Sequence, residues 1–361
     1  MAGMSAGDLK GVRFPGRYIQ GPGALARPGS EVAAFGPRAL VLLDDGVFNL
    51  FEGRVKAAFA SCAEATILRF GGECTEIAIA DTAQKAGRLE AAVIVGMGGG
   101  KALDTAKAAA IDAGLPMIVV PTIAASDAPC SALSVIYHAD GTVSHDRFLP
   151  HNPDLVLVDT AIIAAAPARF LAAGNADALA TWYESESCRR SGALNCLGLP
   201  GLPLAFAIAA TCRDTILAHS LAAMAECIRG DAGPALERIV EANILMSGLG
   251  FESGGVAAAH AVYHGLAMLE DTHNALHGEK VAIGILTGLA MQNEDDEFKR
   301  VKAFMQSIGL PTRCADLGIS ELTDEKLWIV ANRACKPGEI ILNEPFPVTP
   351  EAVFAALQRL G

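Results

Sequence analysis

Clustered basic residues and closely spaced cysteines are both missing from this sequence. Of its 361 residues only 19% are charged and 6% are aromatic, and the formal net charge is −12. Because no run of Lys or Arg offsets this acidic balance, we expect neither nucleic acid nor an anionic membrane surface as a partner. The nine cysteines include no CxxC pair. We interpret them as reduced, buried thiols of a cytoplasmic protein rather than as metal ligands.

A continuous apolar run long enough to cross a bilayer is also missing. Residues 1–17 contain no apolar segment of signal-peptide length. The longest stretch without a charged residue covers residues 191–212, but Pro200, Gly201 and Pro203 interrupt its first half. Only about 10 residues after Pro203 are continuously apolar, too few for a membrane span. We therefore predict a loop followed by a buried helix.

Apolar residues are plentiful, at 52% of the chain, and the length exceeds the size at which one core stops growing. Two domains are therefore expected. In the first half, short β-like runs alternate with helical stretches. The predicted strands are residues 38–43, 65–69, 91–95, 116–120 and 155–158. Because these runs show no polar alternation, they predict a parallel sheet covered by helices on both faces, a Rossmann-like doubly wound domain.

Beyond residue 165 the pattern contains no further β run. Ala- and Leu-rich segments with helical spacing follow instead, at residues 170–190, 204–229, 234–250, 256–269 and 279–292. This predicts an α/β domain over residues 1–165 and an all-helical domain over residues 166–361. Residues 134–149, with a turn at Asp140–Gly141, predict a small hairpin attached to the first domain.

A glycine-rich turn joins the third predicted strand to a helix. The motif GMGGGK covers residues 96–101, and the helix starts at once. Glycines allow close backbone approach, and the positive end of a helix suits a pyrophosphate. This setting predicts a dinucleotide site, with a purely structural turn as the alternative. Asp44 ends the first strand, where an acid can take the adenosine ribose and disfavour NADP; a solvated turn is an equally good interpretation.

Asp177, His260 and His277 are candidate metal ligands in the helical half. An ionised Asp within an apolar run is costly unless it is paired or binds a metal. Two histidines and one carboxylate leave a fourth place for water or substrate, as in a catalytic zinc site. Taken singly, a histidine in such a segment is more often a packed core residue than a ligand.

Six longer stretches resemble the glycerol dehydrogenases of the iron-containing alcohol dehydrogenase superfamily. They are GMGGGKALDTAKA, PTIAASDAPCSALSVIY, NPDLVLVDT, GNADALATWYE, ALERIVEANILMSGLGFESGGVAAAHA and HGEKVAIG. The resemblance covers residues 14–350 and keeps the order of the family's motifs. It implies an N-terminal nucleotide-binding α/β domain and a C-terminal helical domain, with the site between them, the architecture shared with dehydroquinate synthase.

The resemblance also implies a role for individual residues. Asp177, His260 and His277 resemble the zinc ligands. The cofactor residues that it implies are Asp44, Gly98, Gly99, Gly100, Lys101, Asp104, Thr122, Ser131, Leu133 and Tyr137. The last four correspond to contacts near the nicotinamide. Asp127 resembles the acid that meets the glycerol hydroxyls, with a turn-capping Asp as the alternative, and Phe251 resembles an apolar wall of the substrate pocket.

Three positions depart from the family pattern. Ala125 stands where the family usually has a hydroxyl, which affects one cofactor contact. His264 lies four residues after His260, where it is a candidate proton relay or, alternatively, a packing histidine. Thr181 stands where the iron-dependent branch usually has a histidine ligand. The loss of that fourth ligand favours zinc with an open coordination position over a four-ligand iron site.

The function predicted from these observations is the NAD-dependent oxidation of glycerol, or a related vicinal diol, to dihydroxyacetone. Zinc would act as a Lewis acid that lowers the pKa of the alcohol, and hydride would pass to the nicotinamide. The alternatives are a reductase of other hydroxy-ketones, 2-oxo acids or aldehydes, a lyase of the dehydroquinate-synthase type, and a non-catalytic NAD-binding protein. A lyase would need Lys or Arg for a substrate phosphate near the metal. The resemblance further implies a homo-oligomer, often an octamer.

Overall fold

Six parallel strands form the central sheet, in the order β1–β8–β5–β4–β2–β3. The computed structural model describes residues 9–26, 28–60 and 64–361. The strands of the sheet are β1 Tyr18–Gly21, β2 Arg38–Asp44, β3 Glu64–Phe70, β4 Val93–Gly98, β5 Met117–Pro121 and β8 Leu155–Asp159. The five predicted strands are all present. Edge strand β1 was not predicted, because it is short and half-buried; it pairs with β8, with Tyr18 opposite Val156.

Helices cover both faces of this sheet. They are α1 Pro28–Ala33, α2 Asp45–Phe59, α3 Glu76–Arg88, α4 Gly100–Ala113 and α5 Thr160–Ala164. Successive residues of β2 show the two faces clearly. Val41 and Leu43 belong to a core that includes Phe51 and Val55 of α2. Leu40 and Leu42 belong to a separate core that includes residues of α3 and α4. The prediction of a doubly wound parallel sheet is therefore confirmed.

A two-stranded antiparallel hairpin is attached to the sheet domain, as predicted. Its strands are β6 Leu133–Tyr137 and β7 Val143–Phe148. In the turn between them, Asp140 Oδ1 accepts a hydrogen bond from the Thr142 N–H at 2.9 Å. Gly141 has a φ of +84°, which favours glycine. The hairpin lies against α4.

The chain after β8 is helical in every element that the structure describes. Its helices are α6 Ala168–Ser191, α7 Pro203–Arg229, α8 Pro234–Glu241, α9 Ser247–Gly254, α10 Ala258–Leu266, α11 His277–Met291, α12 Asp295–Ser307, α13 Asp324–Ala334 and α14 Pro350–Gln358. The five predicted helical segments match α6, α7, α8 with α9, α10 and α11. Between α8 and α9, residues Ala242–Met246 form a π-helical segment that the sequence pattern did not predict.

The two halves of the chain share one core. The largest cluster of buried apolar residues contains Val119, Val156 and Val158 of the sheet together with residues of α6, α7 and α11. Contact between the halves is very close at Gly174, where an added Cβ would lie 1.9 Å from the carbonyl oxygen of Ala124. Only glycine permits this approach, so α6 can lie directly on the loop that follows β5. The domain boundary at residue 165 stays a prediction.

The structure also bears on the predictions made for the cysteines and for the long uncharged segment. The eight described cysteines are all free, and six of them are buried; Cys62 lies outside the described residues. The segment at residues 191–212 is a loop followed by the start of α7, as predicted, but this part of the helix is only partly buried, with Leu204 51% exposed. Across the described ranges, no helix combines the length and apolar character needed to span a membrane. Residues 1–8 of the N-terminal segment lie outside the described ranges.

Candidate active site

Asp177, His260 and His277 meet at the junction of the two halves. They come from α6, α10 and the first position of α11, and one ligand atom from each lies within 4.8 Å of the others. Asp177 Oδ1 is 3.0 Å from His277 Nε2 and 3.3 Å from His260 Nε2. Burial would raise the pKa of Asp177, but His277 and His260 hold it well below its ordinary value. A carboxylate oxygen and two imidazole nitrogens converging in this way fit a divalent cation. We call this group the triad.

The local sequence explains how α11 reaches α6. His277 is followed by Gly278, where an added Cβ would lie 1.9 Å from the carbonyl oxygen of Ala173. Ala173 is one helical turn before Asp177, so the glycine lets the start of α11 rest on the turn that presents the carboxylate. The Asp177 side chain is fully buried, whereas that of His277 is 34% exposed. The triad is therefore open to a ligand on the His277 side.

Glu184 is a site residue that the sequence did not reveal. It lies two helical turns after Asp177 on α6 and is 2% exposed. Its Oε2 is 2.5 Å from His260 Nδ1, and its Oε1 accepts hydrogen bonds from the His260 and Ala257 N–H groups at 2.9 Å each. Burial lowers the pKa of His260, but the carboxylates of Glu184 and Asp177 raise it well above its ordinary value. The seven-residue spacing from Asp177 on an apolar helix was the available signal.

Asp127 lies beside the triad, as expected for a substrate residue. It follows β5, and its backbone N–H donates to Asp177 Oδ2 at 3.2 Å. Its Oδ2 accepts from the Ser247 hydroxyl at 2.8 Å. Oδ1 receives no hydrogen bond from the part of the chain that the structure describes. Burial and the neighbouring Asp177 raise the pKa of Asp127. Thr181 lies in the same group, because its hydroxyl is 2.8 Å from that of Ser247.

Helix α9 forms a wall next to this acid. Ser247 is its first residue, and an added Cβ on Gly248 would lie 2.7 Å from the Cys130 side chain. Phe251 is one turn further along and is buried. The structure thus places Phe251 on the helix that contacts the Asp127 loop, and its role as the apolar wall stays a prediction.

His264 lies apart from the triad. Its Nδ1 is 3.0 Å from Glu339 Oε1, and Glu339 also pairs with Arg333. Burial would raise the pKa of Glu339, but His264 and Arg333 lower it to about 2. This contact with Glu339 agrees with the packing alternative for His264. The proton-relay role stays a prediction.

The glycine loop ends β4 and opens α4. Gly98 has a φ of +148°, and an added Cβ would lie 2.3 Å from the Cβ of Asp44. Gly99 caps α4 without a side-chain hydrogen bond, and a Cβ on Gly100 would meet no atom within 4 Å. No atom of the described residues fills the space beside Gly100, so the start of α4 has room for a pyrophosphate. Lys101 extends from the first turn to Glu73 at 2.6 Å.

Asp44 lies close to this loop. Its Oδ1 accepts from the Gly46 N–H at 2.9 Å and caps α2, and its Oδ2 is 3.4 Å from the Gly99 nitrogen. The structure therefore brings the predicted adenosine-side acid and the predicted pyrophosphate loop together. The contact with a ribose stays a prediction.

Asp104 has a different set of partners. Its Oδ1 is 2.9 Å from the Lys107 ammonium, and its Oδ2 accepts from the Val135 N–H at 3.0 Å. Lys107, which the sequence did not reveal, is fully buried and also donates to the Ala128 carbonyl oxygen at 2.8 Å. The pair fastens the hairpin and the Asp127 loop to α4. This geometry gives Asp104 a structural role, and its cofactor contact stays a prediction.

The four residues predicted near the nicotinamide belong to the stretch that follows β5 and to strand β6. Thr122 is buried, and its N–H donates to the Gly98 carbonyl at 3.1 Å. Ser131 is buried, with its hydroxyl 3.3 Å from the Ala128 carbonyl oxygen. Leu133 and Tyr137 begin and end β6 and are half-buried. The Lys101 ammonium lies 5.2 Å from the centre of the Tyr137 ring.

Tyr263 is a second site residue that the sequence analysis did not predict. Its ring centre is 4.3 Å from that of His277, with the rings at 69° to each other. Burial raises the pKa of Tyr263 to about 12. Burial and then the Tyr263 phenol raise the pKa of Tyr137.

Comparison with known proteins shows similarity over both halves of the chain. A model of the family described as iron-containing alcohol dehydrogenase matches residues 15–160. A glycerol dehydrogenase from Thermotoga maritima is 49% identical over 348 residues, which cover 96% of this chain and 95% of that protein. A glycolaldehyde reductase from Halobacterium salinarum is 40% identical, covering 96% and 95%. The crystal structure of a probable glycerol dehydrogenase from Sinorhizobium meliloti has a TM-score of 0.93 at 42% identity, covering 98% of both chains.

Proposed function

The chain belongs to the iron-containing alcohol dehydrogenase family, and we propose that it oxidises glycerol to dihydroxyacetone, or a related vicinal diol to the corresponding hydroxy-ketone, with NAD as the hydride acceptor. The observation that carries this proposal is the triad with Asp127 beside it. Two imidazole nitrogens and a buried carboxylate oxygen converge on one point. An acid with one uncommitted oxygen lies next to that point. This arrangement suits an alcohol that has a second hydroxyl close to the reacting carbon.

We propose zinc as the metal and Asp177, His260 and His277 as its ligands. The donor set of two nitrogens and one oxygen is that of catalytic zinc sites, which keep one position for substrate. Thr181, four residues after Asp177, offers a hydroxyl that is already engaged with Ser247. When bound, zinc supplies Lewis-acid stabilisation of the negative charge that develops on the substrate oxygen.

The protein groups around the triad have separable roles in this proposal. Glu184 fixes the ring of His260 through Nδ1, so that Nε2 points to Asp177. Asp127 Oδ1 accepts a hydrogen bond from a substrate hydroxyl away from the reacting carbon, and Ser247 holds the other oxygen in place. Together they orient the diol so that the carbon-bound hydrogen faces the nicotinamide.

NAD fits the other side of the junction. The open amides at the start of α4 suit its pyrophosphate, and Asp44 suits its adenosine ribose. Gly98, Gly99, Gly100 and Lys101 would hold the phosphates. Thr122, Ser131, Leu133 and Tyr137 would line the path toward the triad; Thr122 contacts the glycine loop, and the Tyr137 ring lies close to the Lys101 ammonium.

We also propose a cytoplasmic homo-oligomer. Eight free cysteines suit a reducing compartment. Helix α7 exposes three large apolar side chains, Leu204 at 51%, Leu221 at 61% and Ile228 at 74%. Exposed apolar side chains along one helix are a feature of protein interfaces, which supports self-association.

One experiment tests the enzyme and the metal together. Purified protein would be analysed for bound metals and assayed with glycerol, 1,2-propanediol and 2-propanol plus NAD, and with dihydroxyacetone and glycolaldehyde plus NADH. We expect about one zinc per chain, with Asp177→Ala, His260→Ala and His277→Ala abolishing metal and turnover but not NADH binding. Full activity in EDTA without stoichiometric metal would refute the zinc assignment. A strong preference for glycolaldehyde over dihydroxyacetone would favour the aldehyde reductase, the alternative that the Halobacterium salinarum relative supports.

A further inference from the structure

The four tyrosines of the chain fall into two pairs. The hydroxyls of Tyr18 and Tyr183 donate to Gln20 at 2.6 Å and to Glu297 at 2.5 Å. In the described ranges the hydroxyls of Tyr137 and Tyr263 have no hydrogen-bond partner, although Tyr263 is only 9% exposed. A buried tyrosine hydroxyl normally finds a partner. The two unpartnered hydroxyls therefore lie where a ligand would supply one.

The Tyr263 hydroxyl is within reach of such a ligand. In the part of the chain that the structure describes, the fully enclosed side-chain oxygens without a hydrogen bond are Glu73 Oε2, Asn243 Oδ1 and Asp104 Oδ1, although the last has the Lys107 ammonium at 2.9 Å. The Tyr263 oxygen is not among them, so it borders accessible space. That space adjoins the triad, because the Tyr263 ring lies edge-on against His277, the ligand with the exposed side chain.

The ring of Tyr263 is held from several sides. It follows His260 by three residues on α10, and its centre is 6.4 Å from that of His260. The Lys280 ammonium lies 5.6 Å from the ring centre, one turn after His277 on α11. Both helices that supply histidines to the triad therefore also fix this ring. Its position relative to the metal ligands is set by the same packing that sets the ligands themselves.

Tyr263 also marks the boundary between the cofactor side and the substrate side. Tyr137 belongs to the hairpin, and the Lys101 ammonium lies 5.2 Å from its ring centre. Lys101 directly follows the glycines of the loop. A substrate at the triad would thus have a hydrogen-bond donor beside His277 and an acceptor beside Asp177.

We propose that Tyr263 is a specificity-determining residue that selects short polyols: its hydroxyl donates a hydrogen bond to a substrate oxygen other than the one held at the triad. Its ring closes the pocket against longer chains. The inference rests on the proposed oxidation of glycerol or a related diol. Tyrosine is protonated at neutral pH and so acts as a donor, complementing the carboxylate of Asp127.

The test compares Tyr263→Phe, which keeps the ring and removes the hydroxyl, with wild type. We expect kcat/KM for glycerol to fall about five- to tenfold, the scale of one neutral hydrogen bond, while kcat/KM for 2-propanol changes less than about twofold. Zinc content and NADH affinity should not change. Calorimetric titration of glycerol into the enzyme–NADH complex, where no reaction occurs, should show the same weakening as the kinetics. Tyr183→Phe is the matched control, since it removes a tyrosine hydroxyl that is bonded to Glu297.

A second variant tests the ring. Tyr263→Ala should raise kcat/KM for 1,2-hexanediol relative to glycerol by about tenfold, because removing a buried ring opens space for an added chain. Equal losses on glycerol and 2-propanol in Tyr263→Phe, unchanged glycerol binding, or loss of zinc would overturn the inference. Failure of the proposed function is separately visible, because wild type itself would then turn over neither glycerol nor 1,2-propanediol.

Discussion

The carboxylate of Glu184 holds His260 at two points. Oε2 lies 2.5 Å from the ring nitrogen Nδ1, and Oε1 accepts from the backbone N–H of the same residue at 2.9 Å. One side chain therefore fixes both the start of α10 and the orientation of the imidazole. The remaining ring nitrogen, Nε2, is left to face Asp177 at 3.3 Å.

We expect Glu184→Gln to weaken zinc binding about 10- to 100-fold, because an amide is a poorer partner for the ring N–H than a carboxylate and lowers its basicity as a ligand. Competition with a chelator of known affinity measures this directly. Activity at saturating zinc should recover in part. Unchanged zinc affinity would contradict the role given to Glu184.

Glu344→Gln is a matched control for that variant. Glu344 Oε1 accepts from the Ala258 N–H at 3.1 Å, so it caps the same end of α10, but its other partners are Ser187 and Gln292. It makes no hydrogen bond to the ring of His260. Zinc affinity in this variant should therefore stay within about threefold of wild type, the usual scatter for a change that leaves the ligand partners in place.

Glu344 itself makes stability depend on pH. Burial, and the neighbouring Glu184 charge, raise its pKa from 4.5 to about 7. Because the folded state then holds the proton more tightly than the unfolded state, stability falls as pH rises from about 4.5 to about 7. Above pH 7 the resulting loss in the free energy of unfolding is at most about 3 kcal/mol. Melting curves at pH 5 and pH 8 should show a smaller Tm difference in Glu344→Gln than in wild type; an identical difference would show that this carboxyl does not titrate as described.

Sequence reasoning located the elements whose signal is local. The strands β2, β4, β5 and β8 are continuous apolar runs, and the glycine loop sits where one of them meets a helix. The triad was also found, because an Asp in an apolar helix and two histidines are unusual residues in such segments. Its members are up to 100 residues apart, and the prediction that they belong to one site came from the family resemblance.

What sequence reasoning missed depends on partners that are distant in the chain. Glu184 meets a histidine 76 residues away, and Lys107 meets carbonyl groups up to 26 residues away. The family resemblance implies a cofactor contact for Asp104, which stays a prediction; its side chain contacts Lys107 and the hairpin. A charged residue on an apolar helix indicates that a partner exists, but the partner can be identified only from the fold.

Cofactor choice provides another prediction. Asp44→Ser should reduce the preference for NAD over NADP roughly tenfold, as expected from losing about 1.4 kcal/mol of like-charge repulsion with the 2′-phosphate. Serine keeps the cap on α2. Values of kcat/KM with both cofactors measure the change, and Asp45→Ser is the control, since Asp45 pairs with Arg69 at 2.9 Å on the surface. A wild type that prefers NADP would refute the assignment of Asp44.

The substrate acid is tested by Asp127→Asn. The amide keeps the shape and the Ser247 contact but loses the charge that strengthens a bond from a substrate hydroxyl. Preference for 1,2-propanediol over 2-propanol should fall by about 1.5–3 kcal/mol. Asp154→Asn is the control, because Asp154 accepts from the Met117 N–H at the opposite end of β5. Equal losses on both alcohols, with a lower melting temperature, would favour the turn-capping role instead.

The position of the active-site wall depends on the number of residues in the π-helical segment Ala242–Met246 as well as on its side chains. Asn243, within the segment, donates to the Ala124 carbonyl at 3.1 Å, and Ser247, just after it, donates to Asp127. Each residue turns an α-helix by about 100°. Losing a single codon in this stretch would therefore rotate Ser247, Gly248 and Phe251 together away from the Asp127 loop. A three-nucleotide deletion here would therefore displace three residues of the site at once.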